Sequence, residues 1–153
     1  MTSSQTLRLA EYLPYRLSVA AAAVSALVAK AYEVRFGLPI PQWRIIAILT
    51  EHKSLTQQQL VRLSSMDKQT ISRAARSLQS RGLIARATSP EDRRAYSLRM
   101  TAAGRRLYRR VVPLALAYER LLLSNLSTQQ IKILSRQLQQ LEQAAAAAAG
   151  RHS

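Results

Sequence analysis

The chain has 153 residues, of which 48% are hydrophobic, and it carries a formal net charge of +15 at pH 7. This length suits a compact domain with a real core, and this hydrophobic content excludes a disordered basic tail. The sequence contains no cysteine and only two histidines, far apart, so disulfides and thiolate chemistry are excluded and neither a metal site nor a cofactor is expected.

The N-terminal region is predicted to hold a flexible segment, residues 1–12, followed by a long helix over residues 13–36. Pro14 suits the first turn of this helix and Gly37 suits its end. One face is apolar at helical spacing: Leu17, Ala21, Val24, Val28 and Ala31. The apolar run at residues 19–29 lacks a signal-peptide cleavage motif and is judged too short for a membrane span. We therefore expect a cytoplasmic protein with no membrane partner.

Two short helices are predicted next. The second helix covers residues 42–51, and the third covers residues 57–64, which Thr56 can cap. Their periodicity turns the large apolar side chains inward: Trp43, Ile46, Leu49, Leu60 and Leu63.

The fourth helix carries the most informative pattern. It is predicted to begin near Asp67, whose carboxylate suits a helix N-terminus, and to end at Gly82. Its inward stripe is Ile71, Ala74, Ala75 and Leu78, and its opposite face carries Gln69, Arg73, Arg76 and Ser80. Two short helices joined by a tight turn, the second exposing Gln and Arg, predict a helix-turn-helix.

On both sides of residues 89–94 the residues alternate in character with a period of two, which predicts a β-hairpin. The first arm alternates Leu83, Ala85 and Ala87 with Ile84 and Arg86, and the second alternates Tyr96, Leu98 and Met100 with Ala95, Ser97 and Arg99. The hairpin is interpreted as the wing of a winged helix-turn-helix lobe over residues 37–101.

Two further helices are predicted after the wing. Thr101 can cap a fifth helix that runs to about Leu123, in which Pro113 should produce a kink or a loosened turn. Ser127 and Gln130 form a capping box that opens the last helix. The alanine-rich tail, residues 144–153, has little to bury and is expected to fray.

The terminal helices, residues 13–36 and 102–143, have more apolar surface than the central lobe can cover. We therefore predict that they form a dimerisation domain. An intramolecular bundle is the alternative.

The positive charge is concentrated in one third of the chain. Residues 61–110 carry thirteen Lys or Arg against three Asp or Glu. Such clustering favours a binding face for nucleic acid, whereas a solvated helix face is the alternative.

Three segments resemble the MarR (multiple antibiotic resistance regulator) family of bacterial transcription factors: MDKQTISRA, LQSRGLIAR and DRRAYSLRMTAAGRRL. The most specific element is Asp92-Arg93-Arg94 followed by Leu98 and Thr101-x-x-Gly104. The resemblance covers residues 13–142. It implies a mainly α winged-helix homodimer that binds a pseudo-palindromic operator in double-stranded DNA, located in the bacterial cytoplasm and on the nucleoid when bound. It also implies a small-molecule pocket between the dimer helices and the DNA-binding lobe.

The predicted DNA contacts lie on the third and fourth helices and on the wing. Gln69, Arg73 and Arg76 are the candidates for reading base edges, because Arg pairs with guanine and Gln with adenine in the major groove. Contacts to the backbone are predicted for Thr56, Gln57, Lys68, Thr70, Ser72, Arg86 and Arg93. The family resemblance suggests that Asp92 orients Arg94 at the wing tip for a narrow A·T minor groove. A surface ion pair of little value is the alternative.

An effector pocket is predicted from Tyr12, Tyr15, Arg16 and Trp43. The alternatives are that Trp43 is simply a core residue, which is the favoured interpretation of that residue, and that Arg16 forms a salt bridge instead of binding a carboxylate. The segment AEYLPYRLSVAAAAVS resembles a subgroup whose effectors are often aromatic acids or their thioesters. The predicted function is a sequence-specific regulator, a repressor released from its operator by a small molecule. The alternative is an architectural, weakly specific DNA-coating protein. An enzyme is not expected, because the sequence offers no nucleophile–base pair, phosphate loop or metal cluster.

Overall fold

The computed structural model describes residues 6–88 and 96–151. Within these ranges the chain forms a short 3₁₀ turn at Leu9–Glu11, six α-helices and two β-strands. The elements are α1 Leu13–Phe36, α2 Ile40–Glu51, α3 Gln57–Ser64, α4 Lys68–Ser80, β1 Ile84–Thr88, β2 Tyr96–Met100, α5 Ala102–Leu122 and α6 Thr128–Ala149. This arrangement confirms the predicted fold class, mainly α with a small β-hairpin.

The chain divides into two compact units, Met1–Pro113 and Leu114–Ser153. The first unit has a hydrophobic core built from every element of the helix-turn-helix and from the hairpin. Its largest fully buried side chains are Leu38, Ile45, Ile46, Leu49, Leu60, Ile71, Leu78, Leu98 and Val111. This core fixes α4 against α2 and α3, so that the opposite side of α4 faces solvent.

The helix ends follow the local chemistry of the sequence. Thr56 caps α3 through a reciprocal capping box with Gln59, and Asp67 caps α4. Gly37 ends α1 with φ of 56°, and Gly82 follows α4 with φ of 69°, a conformation that glycine adopts without strain. Helix α2 begins at Ile40, two residues earlier than predicted, because Pro41 suits its first turn.

The hairpin is antiparallel, with Ile84 opposite Met100 and Arg86 opposite Leu98. Leu55 adds a single bridge to its edge, since the Leu55 and Leu98 backbones exchange hydrogen bonds of 2.9 and 2.7 Å. On β2 the alternation that the sequence showed corresponds to burial, because Leu98 and Met100 are buried and Arg99 between them is exposed. The wing is therefore hydrogen-bonded to the loop that precedes α3.

The fifth helix packs closely against the base of the hairpin at Gly104. Thr101 Oγ1 accepts a hydrogen bond from the Gly104 N–H at 3.1 Å, and its own proton is shared between the carbonyls of Gly82, at 2.7 Å, and Leu83, at 2.9 Å. A Cβ on Gly104 would overlap the Leu83 carbonyl oxygen and would lie 2.9 Å from Met100 Sδ. Only glycine fits this crossing without displacing the hairpin.

Helix α1 has the predicted bounds, residues 13–36, and most of its residues are exposed. It runs for 24 residues, with a mean hydropathy of 1.5 over its most apolar stretch, of which 11% is buried. By length and composition alone it is therefore sufficient to cross a membrane, and the expectation that this region is too short was wrong. That expectation rested on the apolar run at residues 19–29 alone, whereas the apolar character extends over the whole helix, Leu13–Phe36.

The second unit contains the end of α5 and all of α6. Ser127 and Gln130 form the predicted capping box, which confirms where α6 begins. The helix continues to Ala149 and so includes most of the alanine-rich tail. Alanine favours the helix intrinsically and needs no burial to adopt it. Helix α5 continues past Pro113 to Leu122, so the proline does not end the helix.

One predicted core residue is exposed. Leu63 is 53% exposed, whereas Leu60 is fully buried. The buried side of α3 is completed by Ser64, one turn after Leu60, and its hydroxyl accepts a hydrogen bond from the Met66 N–H. The prediction for Leu63 was wrong because α3 has only eight residues and buries a narrow stripe.

Candidate nucleic-acid interface

The N-terminus of α4 is held by Asp67. Its carboxylate accepts hydrogen bonds from the backbone N–H and the hydroxyl of Thr70, both at 2.8 Å. These bonds, the backbone one first, hold the pKa of the Asp67 carboxyl below its ordinary value. The Thr70 hydroxyl proton is thus committed to Asp67, which leaves its neighbours Lys68 and Gln69 as the more available donors.

The outward side of α4 matches the predicted reading face. Lys68, Gln69, Arg73 and Arg76 are all exposed, and Ser72 is half-buried at the edge of this face. The inward stripe of Ile71, Ala74, Ala75 and Leu78 is buried as predicted. Within the described ranges neither exposed arginine of this face has an ion-pair partner. The guanidinium groups therefore have their hydrogen-bond donors available for a polyanion.

A hollow of about 340 Å³ lies where α3 meets the start of α4, lined by Gln57, Gln58, Val61, Arg62 and Lys68. Gln57 and Lys68 were predicted DNA contacts, and the structure brings them together. Arg62 was missed, although it follows Gln58 by four residues and so shares its side of α3. Thr56 Oγ1 accepts a hydrogen bond from the Gln59 N–H at 3.2 Å, so its first role is to cap α3.

The base of the wing presents Arg86. Its guanidinium carbon lies 4.0 Å from the centroid of the Tyr96 ring across the hairpin, a cation–π contact that restricts the side chain. Arg86 remains exposed on β1. Asp92, Arg93 and Arg94 lie outside the described residues, so their predicted pairing and groove contact stay predictions.

Arg81, just after α4, forms a brace that sequence reasoning missed. Its Nη1 donates to the carbonyl of Gly37 at 2.8 Å and to Gln42 Oε1 at 2.9 Å, and its Nη2 donates to the carbonyl of Phe36 at 3.1 Å. Gln42, buried in α2, donates in turn to Ser77 Oγ of α4 at 2.9 Å. The brace joins the end of α1 to α2 and α4, and the sequence gives no local signal for contacts that span more than thirty residues.

The predicted effector residues do not come together within one chain. Trp43 is half-buried between two aromatic rings, 5.4 Å from Tyr32 and 5.7 Å from Tyr108 between ring centroids. Arg16 precedes Tyr32 on the same helix by sixteen residues, or about 24 Å at the rise of an α-helix. Tyr12 and Tyr15 are exposed at the same distant end of α1. No group of three His, Cys, Asp or Glu side chains in the described ranges could hold a metal ion.

Comparison with known proteins agrees with this geometry. The sequence profile of the MarR family matches residues 36–95. An HTH-type transcriptional repressor of Mycobacterium tuberculosis is 28% identical over 131 residues, which cover 85% of this chain and 91% of that protein.

Two solved structures superpose over most of the chain. A probable transcriptional regulator from Pseudomonas aeruginosa is 32% identical with a TM-score of 0.80, over 88% of this chain and 99% of that one. Bordetella bronchiseptica BpsR, whose DNA binding is regulated by 6-hydroxynicotinic acid, shares the fold at 20% identity with a TM-score of 0.84, over 90% and 98%. The helix-turn-helix, the wing and these likenesses lead to one conclusion: the chain belongs to the MarR family of DNA-binding transcriptional regulators.

Proposed function

We propose that the protein is a repressor that reads a specific operator through α4. The observation that carries the proposal is the exposed row of Gln69, Arg73 and Arg76 directly opposite a fully buried stripe. An α-helix fits the major groove, where Arg and Gln make bidentate contacts to guanine and adenine. Lys68 adjoins this row on α4, Arg62 lies beside Lys68, and Arg86 is exposed on the wing; all three suit contacts to phosphates.

The test compares binding to the protein's own promoter DNA with binding to a scrambled duplex of the same length. A specific regulator should prefer the promoter by about 10³ or more. Arg73→Ala should remove much of that preference, whereas Arg109→Ala, which changes an exposed arginine on α5, should leave it unchanged. Equal affinity for both duplexes would instead favour an architectural, weakly specific DNA-coating protein, which the net charge of +15 would also support.

We further propose that the protein acts as a homodimer through its terminal helices. In α6 no described residue is buried, and its apolar stripe of Ile133, Leu134, Leu138 and Leu141 is 38–42% exposed. Helix α1 exposes a comparable apolar surface. A second copy of the chain would cover both, and a dimer matches the two half-sites of a pseudo-palindrome.

Light scattering should give the mass of a dimer at micromolar concentration. Leu138→Glu should weaken the dimer, and Gln139→Glu, the same charge at the adjacent polar position, should not. A monomeric wild-type protein would contradict the proposal.

Because α1 could span a membrane by length and composition, cell fractionation is a second test. The protein is expected in the cytoplasm and on the nucleoid, and its recovery in the membrane fraction would contradict this.

The finer proposal is that an aromatic acid or its thioester releases the operator. Because about 24 Å separate Arg16 from the Tyr32–Trp43 contact within one chain, a pocket that contains both can form only between two copies. Arg16 would then supply a charge-assisted hydrogen bond to a carboxylate near Trp43. The BpsR likeness makes 6-hydroxynicotinic acid a sensible first probe.

Aromatic acids should be screened for compounds that change Trp43 fluorescence and release promoter DNA. Release should fail in Arg16→Ala at the same concentration. If compounds act equally on Arg16→Ala, the proposed carboxylate role is wrong.

A further inference from the structure

Arg81 lies at a junction of three helices, just after the end of α4. Its side chain reaches the carbonyls of Phe36 and Gly37 at the end of α1, and Gln42 in the first turn of α2. A helix leaves its last carbonyl groups without partners inside the helix, and they carry partial negative charge. The Arg81 guanidinium therefore caps α1 from another helix, with a positive charge at the end where the helix dipole favours one. All of these residues lie in the first compact unit, Met1–Pro113.

The guanidinium of Arg81 is held from two sides. On the side of the DNA-binding lobe, Nη1 donates to Gln42 Oε1 at 2.9 Å, and Gln42 is itself fixed because it is buried and its Nε2 donates to Ser77 Oγ at 2.9 Å. On the side of α1, Nη1 and Nη2 donate to the two carbonyls at 2.8 and 3.1 Å. Because the donors of a guanidinium lie in one rigid plane, all three bonds can form only within a narrow range of angles between α1 and the lobe.

Other contacts across this junction restrain the angle less. The chain passes from α1 to α2 through Leu38, which is fully buried, and Tyr32 packs against Trp43 with 5.4 Å between ring centroids. Apolar burial opposes separation of the two helices, but it is non-directional and so tolerates a change of angle. Hydrogen bonds weaken steeply when they are misaligned. Arg81 therefore supplies directional restraint at a junction that is otherwise held by apolar packing.

The DNA-reading end of α4 is remote from this junction, so a small angular error at Arg81 is amplified. Lys68 precedes Arg81 by thirteen residues, which is about 20 Å at the rise of an α-helix. Because the core fixes α4 against α2 and α3, the lobe would turn as a unit. A turn of about 10° around Arg81 would move Lys68 by about 3.4 Å, which is the rise of one base pair.

We propose that Arg81 is a positioning residue for operator binding: it holds α4 at a fixed angle to α1 and thereby selects the spacing of the two half-sites. The inference rests on the proposed function, because α1 is one of the helices proposed to join two copies of the chain. Half-sites one helical turn apart require about 34–36 Å between the two reading helices. With the angle of each lobe released, the dimer would also accept neighbouring spacings. Arg81 acts through α4 and makes no base contact of its own.

The first test measures the distance between the two reading helices without DNA. Because the chain has no cysteine, Gln69→Cys places one spin label on each copy of α4. Double electron–electron resonance on the full-length dimer should show a distribution of distances at least about twofold broader in Arg81→Ala than in the protein with Arg81. Arg81→Lys should be broadened nearly as much, because lysine keeps the charge and loses the planar group.

Two control variants separate the brace from charge and from stability. Arg106→Ala removes an exposed arginine that lines the same hollow as Arg81 and for which the described part of the chain shows no hydrogen bond. Ile45→Val removes one methyl group from the fully buried core beneath the brace, which lowers stability without removing a hydrogen bond. Both controls should keep the narrow distribution of distances.

The second test measures spacing selectivity with unlabelled protein and three duplexes: the operator located by footprinting, the same duplex with one base pair inserted at its centre, and a single half-site. The wild type should bind the inserted duplex at least about tenfold more weakly than the operator, because one half-site is out of register. Arg81→Ala should bind the operator more weakly than the wild type does, and should distinguish operator from inserted duplex by at most about threefold. On the single half-site it should stay within about twofold of the wild type, because its reading face is unchanged.

The inference is overturned if Arg81→Ala keeps the wild-type distribution of distances or the wild-type selectivity for spacing, or if Ile45→Val loses them equally. It is also overturned if the wild type accepts the inserted duplex as well as the operator. Half-site binding that falls as much as operator binding would mean that Arg81 acts on the reading face itself. A wild type that does not distinguish its operator from scrambled DNA would contradict the proposed function instead, and the distance measurement, which needs no DNA, would still decide whether Arg81 fixes the angle of the lobe.

Discussion

Replacing Gly104 with alanine should destabilise the protein, although alanine normally stabilises a helix. The added methyl group would overlap the Leu83 carbonyl oxygen and meet the Met100 side chain at 2.9–3.0 Å. That carbonyl cannot move freely, because it accepts a hydrogen bond from the Thr101 N–H at 3.1 Å and shares the Thr101 hydroxyl proton with the carbonyl of Gly82. Forced overpacking costs about 1–3 kcal/mol, and the helix preference of alanine offsets at most about 1 kcal/mol. The net loss should be about 1–2 kcal/mol.

Thermal unfolding followed by circular dichroism measures this loss. For a chain of this size, 1 kcal/mol corresponds to roughly 2–4 °C, so Tm should fall by about 2–8 °C. Gly150→Ala is the matched control, because its Cβ would meet nothing closer than 3.7 Å and its φ is −67°. That control should leave Tm unchanged or raise it slightly. If Gly104→Ala is as stable as the wild type, the close packing of α5 on the hairpin is not a constraint and the reasoning fails.

Three further predictions concern the reading helix and the wing. Asp67→Ala should lower the free energy of unfolding at neutral pH. Because the pKa of Asp67 in the folded protein lies below the ordinary value of 3.8, the difference in free energy between the variant and the wild type should shrink as pH falls below about 4. A difference that stays constant from pH 7 to pH 3 would contradict this. Arg81→Ala should cost about 1–2 kcal/mol of stability in urea unfolding, because the buried Gln42 Oε1 loses its donor. Arg81→Lys should recover less than half of that loss. Full recovery by Lys would mean that only the charge of Arg81 matters. Arg94→Ala should lose about 1–3 kcal/mol of operator binding and Asp92→Ala part of the same energy, so a double-mutant cycle should be non-additive; additivity would show that the two do not cooperate.

Features set by neighbouring residues were predictable from the sequence. The caps at Thr56, Asp67 and Ser127 depend on a side chain and an N–H three residues away, so the pattern alone locates them. The inward stripe of α4 was predictable for the same reason, because helical periodicity fixes which side chains share a face. The hairpin followed from alternation on both sides of its turn.

Features set by distant residues were not predictable. The Arg81 brace depends on carbonyl groups more than forty positions earlier, and the stacking of Tyr108 on Trp43 joins two helices far apart in the chain. Leu60 and Leu63 are both leucines on α3, and only the packing of that helix determines that Leu60 is buried and Leu63 exposed. The predicted helix over residues 13–36 already separated Arg16 from Tyr32, but only the packing shows that Trp43 lies beside Tyr32 and therefore far from Arg16.

The salt dependence of DNA binding tests most directly whether the basic surface of α3, α4 and the wing engages DNA. A dimer offers each of its basic residues twice: Lys68, Arg73, Arg76, Arg86, Arg93 and Arg94. If about eight phosphates are neutralised, the logarithm of the binding constant should fall with the logarithm of salt concentration at a slope near −7. Arg73→Ala combined with Arg76→Ala should make that slope measurably shallower. A wild-type slope shallower than about −3 would contradict the claim that this surface binds DNA.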